Sequence, residues 1–157
     1  MIGGYRAVSG RIRQELPPLA RLAHRAETSL SDALQGDDRY LDAAALNLHA
    51  LYSGIERLLE LTARQVDETL SAGANWHAEL RAQMAAPVTG VRGPVISPEL
   101  LGQLDRLRGF RHVVRNVYTY NLDADQISLL VHQLPETLRL LHTELNAFAD
   151  FLDAATA

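Results

Sequence analysis

The chain has 157 residues, 47% of them hydrophobic, with no cysteine and a net charge of -4. That length suits a single domain over 1–157 with its own core, and the lack of cysteine excludes a disulfide framework or a thiolate metal site. The acidic balance excludes a protein that coats nucleic acid non-specifically, so any RNA contact has to be local; no apolar run reaches the roughly 18 residues of a membrane span, and no basic-then-apolar leader opens the sequence, which makes a cytoplasmic location the expectation.

Residues 1–8 read as a frayed N-terminus, and a helical pattern begins near Ser9. Leu16, Leu19, Leu22, Ala23, Ala26 and Leu30 keep helical spacing, but Pro17 and Pro18 lack an N–H and predict a break or kink. The expectation is a short first turn and then a helix over 18–34, closed by a turn at Gln35-Gly36-Asp37-Asp38. A long second helix is predicted over 39–70, where Leu41, Ala44, Ala45, Leu48, Tyr52, Ile55, Leu59, Ala63, Val66 and Leu70 hold a 3.6-residue period. On it Tyr52 and Glu56 stand one turn apart and can share partners, and a partly buried Glu56 is expected to pair with an arginine.

Asn75 is placed to cap a short helix running to about Met84, with Trp76 as its anchor and His77 as a surface or packing residue, since no metal-spaced partner is visible. Residues 86–98 contain three prolines and two glycines, predicting a loop over 86–97 whose only charge is Arg92. Ser97-Pro98-Glu99 then reads as N-cap, first-position proline and first-turn acid, starting a helix that ends near Asn121. Asp123 caps the last helix, which carries Ile127, Leu130, Val131, Leu134, Leu138, Leu141, Leu145, Phe148 and Leu152 on one face and is expected to kink at Pro135. With no strand alternation and no internal repeat, the fold class is all-α, a four- to five-helix bundle.

The fourth long helix carries the chemistry. At about 100° per residue Leu107, Phe110, Val113, Val114 and Val117 share one arc, and Arg108, Arg111, His112, Arg115, Tyr118 and Thr119 share another. A solvated face normally mixes acids with bases, yet residues 106–121 hold four arginines and no carboxylate. An anion is therefore expected on that stripe. One other reading of the stripe stays open, a dimer seam that pairs with Glu56, Glu99 or Asp105 of a second copy; separately, all 15 basic residues of the chain are arginine and none is lysine, which fits either genome composition or a use for guanidinium chemistry. His24, His49, His132 and His142 lack ligand spacing and read as bystanders.

In FRHVVRNVYTY, together with LYSGIERLLELTA and GANWHAELRAQM earlier in the chain, the sequence resembles the HEPN superfamily of all-α ribonucleases. Within it the likeness is to HepT-like toxins, encoded beside a minimal nucleotidyltransferase antitoxin of the MntA type. Those toxins carry Arg-Asn-x3-His-x-Tyr on this helix. Here Arg111 takes the arginine position, His112 that of the asparagine, Asn116 that of the histidine and Tyr118 that of the tyrosine, so Asn and His have traded places. The resemblance implies a symmetric homodimer whose cleft cleaves cellular RNA, tRNA among the candidates, without metal or cofactor, and it implies Tyr118 as the residue the antitoxin modifies with AMP.

Residue chemistry sets the demands of such a site. Cleavage at a ribose needs a base for the 2′-OH, an acid for the leaving oxygen and cations for the phosphate. Arg108, Arg111 and Arg115 suit the phosphate, and His112 suits proton transfer. Asn116 can orient substrate but cannot shuttle a proton. Two outcomes stay open: an endoribonuclease toxin using Arg111, His112, Arg115 and Asn116, or a catalytically silent bundle that docks a nucleotidyltransferase.

Overall fold

The computed structural model describes residues 2–116 and 122–157, with side chains over 2–110 and 122–157. Among the described residues there are five α-helices and no strand: α1 (Ile2–Leu34), α2 (Arg39–Thr62), α3 (Trp76–Ala85), α4 (Pro98–Asn116) and α5 (Ala124–Ala155).

Residues 2–8 are not frayed but form the first turns of α1, and Pro17 and Pro18 lie inside that helix rather than dividing it. An interior proline costs about 3 kcal/mol or more. Against this, Val8, Ile12, Leu16 and Leu19 are all buried on one face, and each such side chain contributes about 1.5–3 kcal/mol. Polar contacts also hold the first turns in place: Ser9 Oγ donates to Asp153 Oδ1 at 2.6 Å, and Arg13 Nη2 reaches Asp150 and Asp153 at 2.8 and 2.7 Å.

The second helix ends earlier than its apolar period predicts. At Thr62 it widens into a π-helical turn over Ala63–Asp67, closed by Glu68 at φ 55°. The turn keeps Ala63 and Val66 in the core and places Asp67 against the loop that follows α3. There Arg92 Nε and Nη2 grip the two Asp67 oxygens at 2.6 Å each, with side chains 0% and 2% exposed. The predicted loop is thus organised around its one charge, and Val95 and Ile96 are buried beside it.

Helix directions follow from side-chain neighbours. A Cβ at Gly54 would lie 2.6 Å from Leu19 Cδ2, and one at Gly4 would lie 2.9 Å from the Gln65 carbonyl, so α1 and α2 run antiparallel in close approach. Ser9 and Arg13 meet Asp153 and Asp150, which makes α5 antiparallel to α1. Ser97 meets Glu144, and Gln103 meets Thr137, which makes α4 antiparallel to α5. Hence α4 runs antiparallel to α2. The nine positions predicted for the inner face of α5 are buried or, at Leu138, partly buried against the core, and the helix continues through Pro135.

Candidate functional site

Helix α4 begins as its sequence predicts. Ser97 Oγ accepts from the Leu100 N–H at 3.1 Å and donates to Glu144 Oε2 at 2.9 Å, while the Ser97 N–H donates to Glu144 Oε1 at 2.5 Å. The cap thereby also ties α4 to α5. Leu100, Leu104, Leu107 and Phe110 are buried, so the predicted inner arc is the inner arc over the described side chains. Asp105 and Arg108 lie on the polar side, the first exposed and the second partly exposed. The backbone of Arg111, His112, Arg115 and Asn116 belongs to α4; their side chains, and the whole of Tyr118, lie outside the described residues, as do Val113, Val114 and Val117 of the expected inner arc.

Beside this helix a buried polar network joins α2, α3 and α4. Glu56 accepts from Tyr52 Oη at 2.7 Å, and its same oxygen lies 2.7 Å from His77 Nδ1. Arg81 donates to Tyr52 Oη at 3.0 Å, to the His77 carbonyl at 3.0 Å and to Asp105 Oδ1 at 2.6 Å. The one-turn spacing of Tyr52 and Glu56 lets them bond each other, and their further described partners differ, Arg81 for the phenol and His77 for the carboxylate. The sequence reading pairs Glu56 with an arginine; among the described bonds the carboxylate takes the Tyr52 phenol and the His77 imidazole, and Arg81 reaches it through the phenol. His77 is correspondingly more than a packing residue, although its ring does stack on half-buried Trp76 with centroids 3.7 Å apart.

The electrostatics follow from burial. Tyr52 ionises well above the ordinary phenol range, chiefly because it is buried and also because it donates to Glu56; Arg81 opposes the shift. Asp105, suggested by sequence as a partner for the stripe across a dimer, is bonded by Arg81 of its own chain. The carboxylate that directly precedes the arginines of α4 in the sequence is therefore bonded from α3. Nothing in the spacing of α2 or α3 alone signalled His77 and Arg81, because both act through tertiary contacts.

Among the described residues no group of three or more histidine, cysteine, aspartate or glutamate side chains could hold a metal ion. No helix among them is long and apolar enough to cross a membrane.

These helices and their order define an all-α bundle of the HEPN type. No curated protein and no solved structure matches the chain. Residues 43–152 match the family described as HepT-like protein, well over half of the sequence, and the chain belongs to that family. The match spans the network of α2 and α3, all of α4 and most of α5.

Proposed function

We propose that this protein is a metal-independent endoribonuclease toxin that works as a homodimer and is silenced by a minimal nucleotidyltransferase partner through AMP added to Tyr118. Membership of the HepT-like family supports a toxin of this type. The observation that carries the reading is the charge of α4: Arg106, Arg108, Arg111 and Arg115 follow one another without a carboxylate, and Asp105 just before them is taken by Arg81. Such a stripe suits a phosphodiester, with Arg108, Arg111 and Arg115 on the phosphate, His112 in proton transfer and Asn116 orienting the substrate.

The test is cleavage of RNA by purified protein in excess EDTA, alongside growth arrest on expression alone. Arg111→Ala and His112→Ala are each expected to abolish both. Unchanged toxicity and cleavage in both variants would remove these residues from the mechanism. Co-expression with a nucleotidyltransferase is expected to raise the intact mass by one or more AMP units, and Tyr118→Phe to prevent it.

The amide at Asn116 favours a second reading, a silent bundle whose arginine stripe docks the nucleotidyltransferase. It expects no cleavage by clean protein, and salt-sensitive binding lost on charge reversal at Arg108 and Arg115. Cleavage that co-purifies with the protein and disappears in Arg111→Ala decides against it.

A further inference from the structure

Helices α1 and α2 meet at two close contacts, Leu19 against Gly54 and Gly4 against Gln65. A cavity of about 240 Å³ lies between the two helices, lined by Arg11, Glu15, Gly54, Arg57, Leu58 and Leu61. Every one of these residues falls at or between the two contacts in the sequence. By helical spacing Gly54, Arg57 and Leu61 point roughly 140–200° away from Tyr52 on α2, so this cavity is separate from the polar network that joins α2, α3 and α4.

The apolar part of the lining is Leu58, which is buried, and Leu61, which packs partly buried against the core. Gly54 adds no side chain, so Leu19 closes in from α1, and Arg57 Nη2 lies 3.8 Å from where a Cβ at Gly54 would stand. The Arg57 guanidinium therefore lies over the groove although the residue is exposed. No hydrogen bond or ion pair joins it to any described residue, whereas Arg13, Arg39 and Arg64 on the same two helices each hold a carboxylate. On the other wall Arg11 donates to Glu15 Oε1 at 3.2 Å. That pair is exposed on both sides, and exposed pairs are weak enough for a better acceptor to displace. Two guanidiniums against one carboxylate leave a positive spot in a chain of net charge -4.

We propose that this cavity is a binding site for a nucleoside monophosphate, a reading independent of the nuclease assignment. Guanidinium groups on two walls suit the oxygens of a phosphate dianion, and Arg57 has no described partner to release before it binds. The surface of Leu58 and Leu61 suits the flat base. Glu15 Oε2, which has no described bond, can accept from a ribose hydroxyl while Oε1 stays with Arg11. A cavity of about 240 Å³ is too small for more than one nucleotide, and the Glu15 carboxylate repels the further phosphates that a strand of RNA would bring.

Isothermal titration calorimetry of the full chain with AMP, adenosine and ribose 5-phosphate, each at low and high salt, tests the site. AMP is expected to bind saturably with a Kd on the order of 0.1 mM, and adenosine and ribose 5-phosphate about 10-fold or more weakly. Arg57→Ala and Arg11→Ala are each expected to weaken AMP about 10-fold or more and to flatten its salt dependence. Arg39→Ala, at the start of α2 and paired with Asp37, is expected to bind AMP as wild type does. No saturable binding at millimolar AMP, adenosine binding as tightly as AMP, or unchanged AMP affinity in either Arg57→Ala or Arg11→Ala overturns the proposal. A loss confined to Arg111→Ala assigns the ligand to α4 and overturns it as well. None of these outcomes bears on the cleavage of RNA. Should Arg57→Ala melt well below wild type, Arg57→Gln is read by the ratio of AMP to adenosine affinity, which a general loss of folding does not alter.

Discussion

Replacing Arg92 by methionine tests whether one buried ion pair organises the connection into α4. The guanidinium and the Asp67 carboxylate form a two-bond fork with side chains 0% and 2% exposed, and the same guanidinium donates to the carbonyls of Ala86, Gly93 and Gln83 at 2.9, 2.9 and 3.2 Å. Methionine keeps much of the volume but leaves a buried carboxylate with Gln83 Nε2, at 2.6 Å, as its remaining described side-chain partner. Breaking a buried pair from one side costs about 3–5 kcal/mol, and about 1 kcal/mol moves the melting temperature of a chain this size by about 2–4 °C. Arg92→Met is therefore expected to melt on the order of 10 °C lower, with a lower urea midpoint at unchanged slope. The double variant Arg92→Met/Asp67→Leu removes the stranded charge and is expected to regain more than half of the loss. A cost below about 1 kcal/mol for the single variant, or a double variant no better than the single, would refute the reasoning. Because Val95, Ile96 and the Ser97 cap follow directly, the same change is expected to loosen the start of the helix that carries the arginines.

Tyr52→Phe removes the hydroxyl shared by Glu56 and Arg81 and should cost about 1–3 kcal/mol by urea unfolding; a neutral result would show that Glu56 and Arg81 do not need it. The raised phenol value in the folded state has a definite sign: the unfolded chain ionises Tyr52 from about pH 10 while the folded one does not, so this part of the stability is present below that pH and is lost as pH rises past it. Unfolding between pH 9 and 11 should show a steeper fall for wild type than for Tyr52→Phe, and parallel slopes would contradict the assignment. At the other end of the bundle Asp153 is held below the carboxylate range first by the Ser9 hydroxyl and then by Arg13. Its contribution is present above the ordinary value of 3.8 and is lost as pH falls through the lower folded value, so the gap in melting temperature between wild type and Ser9→Ala should narrow with acid; a gap that widens would reverse the sign. Ser97→Ala should cost about 0.5–2 kcal/mol through the lost cap, measured by thermal melting, and no change would mean that the Leu100 N–H finds an equal partner.

The inner faces of the helices were legible residue by residue. The 3.6-residue period picked out Ala44, Leu48, Ile55 and Leu59 on α2 and Ile127, Leu134, Leu141 and Leu152 on α5, and all of them are buried. The caps at Ser97 and Asp123 were legible too, because a cap is satisfied by backbone two or three residues away and the information is local. The family likeness could be read from residue type in three segments, on α2, around α3 and on α4.

What only the tertiary structure decided is which polar groups meet across helices. His77 and Glu56 are 21 residues apart, Arg81 and Asp105 are 24, and Arg92 and Asp67 are 25. Periodicity tells which side of a helix is apolar; it carries no information on the level at which one helix passes another, and that level is what brings an imidazole to a carboxylate. The unbroken course of α1 through Pro17 and Pro18 was likewise decided by packing, since local propensity opposes it and the burial of Val8, Ile12, Leu16 and Leu19, with the bonds of Ser9 and Arg13 to α5, outweighs it.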